Sequence, residues 1–140
     1  MADASTPPTN AMMSVAASAM RAQQARMRII AENLANADSV SKTAGGDPYR
    51  RQVPVFAPVT VDGAQGVKMT RVAQDQSAFR SQYQPGHPSA DAKGYVKLPN
   101  VDPLVEALDM REAQRAYQAN LNVIETAKSM AADTIAVLNK

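Results

Sequence analysis

The chain has 140 residues, 45% of them hydrophobic, with a net charge of +2 and a sequence pI near 9. That balance is too weak to imply a nucleic-acid partner, and the absence of cysteine excludes disulfides, thiolate chemistry and metal–thiolate clusters. With eight Met, no Trp and abundant Ala, the apolar residues are small and flexible, a mixture that favours helix-on-helix contact over a large aromatic core.

Residues 1–10 are polar, contain Pro7-Pro8 and lack the Lys/Arg start of a secretory leader, so they read as a disordered tail without a cleaved address. Residues 11–39 read as an N-terminal amphipathic helix. Met13, Met20, Met27 and Leu34 lie seven apart, with Ala16, Ala17, Gln23, Ile30 and Ala31 in neighbouring rows. Arg21, Arg26 and Arg28 rule out a membrane span there, and Asn36-Ala37-Asp38-Ser39 stops the helix, since Asn tolerates the left-handed C-terminal position.

Residues 40–99 hold all six glycines and most of the prolines, and read as a β-rich or extended middle region. One strand is expected around Tyr49–Phe56, broken by Pro54 and therefore at an edge. A second is expected over Gly66–Val72 and a third over Phe79–Tyr83, together making at most a small meander. Lys93–Pro99 reads as an extended lead into the next helix, and Gly63 and Gly66 as a hairpin turn.

Residues 100–140 read as a long C-terminal helix, capped by Asp102 with Pro103 at its first position. Met110, Tyr117, Ile124, Ala131 and Leu138 are seven apart. Ala116, Val123, Met130 and Val137 run beside them, and Ala113, Asn120, Ala127 and Thr134 form a third row. The expected fold is mainly α, with long N- and C-terminal helices packed as a coiled coil around a small β-rich middle. Gln23 and Asn120, polar within the stripes, would fix register. Residues 11–37 balance at +2 and residues 101–140 at −2, which favours pairing the two helices, within a chain or between copies.

The sequence offers little catalytic chemistry. His87 is the single histidine and sits in a Pro/Gly turn without an oriented partner. No second His, Cys or spaced carboxylate run accompanies it, so no catalytic, metal or cofactor site is expected. Arg50-Arg51, beside Tyr49, is the one basic doublet; a solvated strand edge or a salt bridge to a neighbouring subunit is a better reading than a nucleic-acid contact. The Met stripe would suit a membrane-surface helix, but it lacks the Trp and Phe such helices use.

Three segments carry a resemblance. Glu32-Asn33-Leu34-Ala35-Asn36-Ala37-Asp38-Ser39 resembles the Asn-Leu-Ala-Asn motif that closes the N-terminal helix of the flagellar axial proteins of rod and hook. Tyr83-Gln84-Pro85-Gly86-His87-Pro88, followed by Asp91-Ala92-Lys93-Gly94-Tyr95-Val96-Lys97-Leu98-Pro99-Asn100-Val101-Asp102, is similar to the hallmark of that family's proximal-rod branch. Arg115-Ala116-Tyr117-Gln118-Ala119-Asn120-Leu121-Asn122-Val123, continuing to Met130, resembles the family's C-terminal helix. The proline-bearing start and Pro54 depart from the pattern.

The resemblance implies a structural subunit, not an enzyme, of the proximal rod in the periplasm, assembling helically into a torque-transmitting shaft around an export channel. It further implies passage through the flagellar type III export apparatus without cleavage. Implied partners are further copies, the rod proteins FlgB, FlgF and FlgG, and FliE with the MS-ring region, with no nucleic acid and no membrane span. The expected assembly residues are Met20, Met27, Ile30, Asn33, Leu34, Asn36, Tyr117, Gln118, Asn120, Ile124, Ala127, Ala131 and Leu138. A soluble helical adaptor or export chaperone, binding partner helices through the same stripe, is the rival reading.

Overall fold

The structure, a computed structural model, describes residues 8–140. Its elements run α1 (Pro8–Ala35), β1 (Gln52–Val61), β2 (Ala64–Gln74), β3 (Arg80–Tyr83), β4 (Tyr95–Leu98) and α2 (Pro103–Leu138). Helices of 28 and 36 residues outweigh strands of 10, 11, 4 and 4, so the chain is mainly α with a small β region in its middle. Of the expected tail, residues 1–7 lie outside the described residues, and Pro8 is already helical, as suits a proline whose missing N–H would have no partner in a first turn.

The chain divides into two compact units. One draws on α1 as far as Met27, on residues 55–71 and on Arg111–Lys140; the other comprises Arg28–Pro54 and Val72–Met110.

In the first unit, β1 and β2 meet at a two-residue turn, with Asp62 at φ 48° and Gly63 at φ 78°, the left-handed pair a tight hairpin needs. Gly66 is not part of that turn. It lies inside β2, where a Cβ would come within 2.6 Å of Ser18 Oγ, the atom that accepts from Val67 N at 3.2 Å. Arg26 Nη2 on α1 lies 3.5 Å from Glu112 Oε2 on α2, in the sense the helices' opposite charges favour. Glu112 is largely exposed, so the pair contributes about 0–1 kcal/mol.

Strand β1 runs straight through Pro54, where a break was expected, and on through Pro58. Both prolines have the parity opposite to Arg51, whose carbonyl accepts from Asp75 N at 2.9 Å, so their missing N–H groups fall on the open edge of a two-stranded sheet. The expected three-stranded meander is likewise replaced by two separate two-stranded sheets. The extended lead into the long helix is itself a strand, β4, which pairs antiparallel with β3 from Arg80↔Leu98 to Tyr83↔Tyr95.

That second hairpin belongs to the second unit and is closed by its own loop. Asp91 Oδ1 accepts from Lys93 N at 2.9 Å and Tyr95 N at 3.0 Å, and Gly94, at φ 87°, lets Gln84 N reach its carbonyl at 2.9 Å. The Tyr83 and Tyr95 rings meet edge to face, 5.2 Å between centroids. Ile29, Val96, Pro99 and Val101 are fully buried in this unit.

The helix ends follow local chemistry. Asp102 Oδ1 accepts from Leu104 N at 3.0 Å, as its capping role requires. At the other helix the stop differs from expectation: Asp62 is the one non-glycine with positive φ among the described residues, so Asn36 is not left-handed. Instead Ala37 N and Ser39 N bond back three residues to Leu34 and Asn36, while Asn36 Nδ2 donates to the Glu32 carbonyl at 2.8 Å.

Candidate functional site: helix faces and a polar cluster

Along α2 the deepest residues are Glu106, Ala113 and Ala127, with Asn120 half-buried between them. The row seven apart that faces inward is therefore 106, 113, 120, 127. The Met110, Tyr117, Ile124, Ala131 row flanks it half-buried, and Leu138 at its end is 78% exposed. In α1, Ala16, Ala22, Ile29 and Ile30 are buried, while Met20, Met27 and Leu34 are half-buried. On α2 the deepest apolar positions are held by the small side chains Ala113 and Ala127.

Of the residues expected at an assembly interface, Ile30, Asn33 and Ala127 are buried within the chain, and Asn36 is half-buried. Gln118 is exposed and donates to Asn122 Oδ1 at 3.2 Å; Asn120 turns back to donate to the Ala116 carbonyl at 2.8 Å. On α2 the most exposed apolar residues lie towards its two ends, Leu104, Val105 and Leu108 near its start and Met130, Ile135, Val137 and Leu138 near its finish, with Val123 less exposed between them.

A second constellation, in the second unit, centres on Arg51. Its Nε pairs with the fully buried Glu106, its Nη1 lies 3.3 Å from Asp75 Oδ2, and its Nη2 lies 3.8 Å from Asp109 Oδ2. Three guanidinium nitrogens thus serve three carboxylates, a geometry only Arg provides. Asn100 ties down the residues flanking β1 and β2, its Oδ1 accepting from Arg51 N at 2.7 Å and its Nδ2 donating to the Asp75 carbonyl at 2.9 Å. Arg50 lies 4.2 Å over the Phe79 ring and donates to the Asp75 and Ser77 carbonyls. The doublet read as a solvated edge or an intersubunit bridge is thus bonded within its own chain. Burial pulls the Arg51 pKa down while Glu106 and Asp75 pull it up, and the net effect holds its guanidinium above its usual pKa.

The sequence carried one sign of this cluster. Glu106 shares the period of Ala113, Asn120 and Ala127, and a carboxylate in an inward row demands a cation. Starting the stripe at Met110 hid it.

Asp75 is held below the usual carboxylate range, first by the Ser77 backbone N–H at 2.9 Å, then by the Ser77 hydroxyl and Arg51. Its folded pKa lies below its unfolded one, so its stabilisation is present above the unfolded value and is lost as pH falls through the folded one. Asp91, depressed chiefly by the Tyr95 N–H, acts in the same sense. The melting temperature is expected to fall between about pH 5 and pH 2, and Asp75→Asn to make that fall shallower without abolishing it. Thermal unfolding by circular dichroism at stepped pH checks both slopes.

His87 sits in its turn with Nδ1 accepting from Ser89 N at 3.0 Å. No helix among the described residues is long and apolar enough to cross a membrane, and no group of three or more His, Cys, Asp or Glu among them is placed to hold a metal ion.

Comparison with known proteins finds matches over both helices. Residues 13–41 match the family model described as flagella basal body rod protein, and residues 92–137 match that of the flagellar basal body rod FlgEFG protein C-terminal region. The chain is 44% identical over 133 residues to the flagellar basal-body rod protein FlgC of Agrobacterium fabrum, covering 94% of this chain and 96% of that one. It is 46% identical over 125 residues to the FlgC of Salmonella typhimurium, covering 86% and 91%, and 39% identical over 145 residues to that of Borreliella burgdorferi, covering 90% and 95%. The chain belongs to the FlgC family of flagellar basal-body rod proteins.

Proposed function

We propose that this chain is a structural subunit of the proximal rod of the bacterial flagellar basal body. The observation that carries the reading is the family match running through both helices and the middle at 44% identity over 94% of the chain. Its work is mechanical: copies pack helically with the rod proteins FlgB, FlgF and FlgG, and with FliE at the MS-ring end, into a shaft that transmits torque and encloses the export channel. It reaches the periplasm through the flagellar type III export apparatus without cleavage.

The terminal helices act as a coiled coil once neighbours cover them. Met20, Met27, Leu34, Tyr117, Gln118, Ile124, Ala131 and Leu138 supply the outward side of that packing. Ile30, Asn33, Asn36, Asn120 and Ala127 set helix spacing and ends from within. A face that meets a different face on the next subunit gives an open helical array, which a shaft needs.

Mass spectrometry of basal bodies purified from the source organism tests the reading. The expected result is this chain, uncleaved and retained through high-salt washing. Its absence, with a soluble cytoplasmic pool instead, would overturn the rod assignment in favour of a helical adaptor.

A further inference from the structure

The chain has a single acidic or amide residue followed directly by glycine, Asp62-Gly63, and the fold puts it at the tip of the β1–β2 hairpin. Both residues are exposed, and both have positive φ. A Cβ at Gly63 would meet nothing within 4 Å, and the Gly63 N–H has no hydrogen-bond partner among the described residues. A carboxyl beside so open a backbone nitrogen is the setting for one reaction, attack of the amide on its neighbour's side chain.

The other aspartates among the described residues are placed against it. Asp47 and Asp102 precede prolines, which have no N–H to attack with. Asp75 and Asp91 have their carboxylates engaged by the backbone N–H two residues on, Ser77 and Lys93, each at 2.9 Å. Asp109 and Asp133 lie within α2, where the next N–H belongs to the helical ladder. Asp38 is followed by Ser39, whose N–H bonds to the Asn36 carbonyl at 3.2 Å. Asp62 has a different restraint: the Ser14 hydroxyl, on α1, donates to its Oδ2.

We propose that Asp62 is a site of spontaneous isomerisation to isoaspartate, and that the Ser14 hydroxyl slows the reaction in the folded chain. The Gly63 nitrogen bonds to Cγ of the protonated carboxyl, the Cγ–O bond breaks, and the hydroxyl leaves with the amide proton as water. Water then adds to either carbonyl of the succinimide, reopening it to aspartate or isoaspartate with no net change in composition. Ring closure consumes the carboxylate to which Ser14 donates, so that bond is lost on the way to the imide. Isoaspartate adds a main-chain carbon inside the two-residue turn, and the β1–β2 register set by that turn cannot be kept. The inference stands apart from the rod reading: it concerns how long an unassembled chain keeps its hairpin.

The purified full chain, aged at neutral pH and physiological temperature, is assayed by methyl transfer from S-adenosylmethionine with a protein isoaspartyl methyltransferase. Mass spectrometry then maps the labelled peptides. The expected result is label concentrated in the peptide that holds Asp62. Ser14→Ala, an exchange a helix tolerates, is expected to raise the Asp62 rate about threefold or more, the weight of one modest hydrogen bond, and to leave Asp38 unchanged. In urea the two chains are expected to age at the same rate, since the Ser14 bond exists only in the fold. Label at Asp38 in place of Asp62, or at neither, overturns the site. An Asp62 rate unaltered by Ser14→Ala, or a rise shared equally by Asp38, overturns the protective role of Ser14.

Discussion

Replacing Arg51 by Ala is expected to cost about 3–5 kcal/mol, the usual penalty for stripping the partner from a buried charge. For a chain of this size that is a fall in melting temperature of roughly 10–20 °C. The reason is the company Arg51 keeps. Glu106 is 0% exposed, its Oε2 has no hydrogen-bond partner among the described residues, and its other oxygen depends on Arg51 Nε. Asp75 and Asp109 share the same guanidinium, so its loss leaves three carboxylates facing one another. Arg51→Lys should recover less than half of the loss, because one ammonium cannot reach three carboxylates in separate directions. Arg51→Met with Glu106→Leu should recover more than Lys does, since an apolar pair of similar volume removes the buried charge altogether. Thermal melts of the four chains decide it; an Arg51→Ala protein melting within about 3 °C of the original would show that Glu106 is not held by this pair.

The periodicity of the two terminal segments was enough to place both helices, and Asp102-Pro103 marked where the second begins. Which row faces inward was less legible. Met, Tyr and Ile in one row outweighed Ala113 and Ala127 in another by hydrophobicity, yet the smaller residues went deepest because only they let neighbouring elements approach closely. In the middle region Pro54 looked like a breaker because its neighbours in space were unknown; on the open edge of a two-stranded sheet it interrupts nothing. The Arg51 cluster unites residues just before β1, just after β2 and in α2, as far apart as Arg51 and Asp109, and no local pattern announces such a convergence. The family motifs were readable because they lie within short continuous segments. The exposed finish of α2, where other chains are proposed to bind, was readable only as apolar, since a pattern does not say which stripe a chain covers itself.

Asn33→Leu is the second substitution with a large expected effect, about 2–5 kcal/mol of stability. Asn33 is 1% exposed, and all of its bonding is internal: Oδ1 accepts from Tyr49 Oη at 2.7 Å and from Gln52 N at 2.9 Å, and Nδ2 donates to the Gln52 carbonyl at 2.9 Å. One side chain thereby satisfies both backbone groups at the start of β1 and ties them to the last turns of α1. Leucine fits the volume but leaves an N–H, a carbonyl and a hydroxyl unpaired, and each buried orphan costs about 1–3 kcal/mol. Tyr49→Phe removes one of these bonds while Gln52 stays clamped, so it should cost only about 1 kcal/mol. The two substitutions together should cost less than their sum, because the Tyr49 hydroxyl is orphaned in one single variant and absent from the double. Denaturant unfolding of the isolated chain separates the possibilities. A large Asn33→Leu loss there, with no other chain present, makes this Asn-Leu-Ala-Asn asparagine an internal clamp. A loss seen only on incorporation into basal bodies would make it an intersubunit lock.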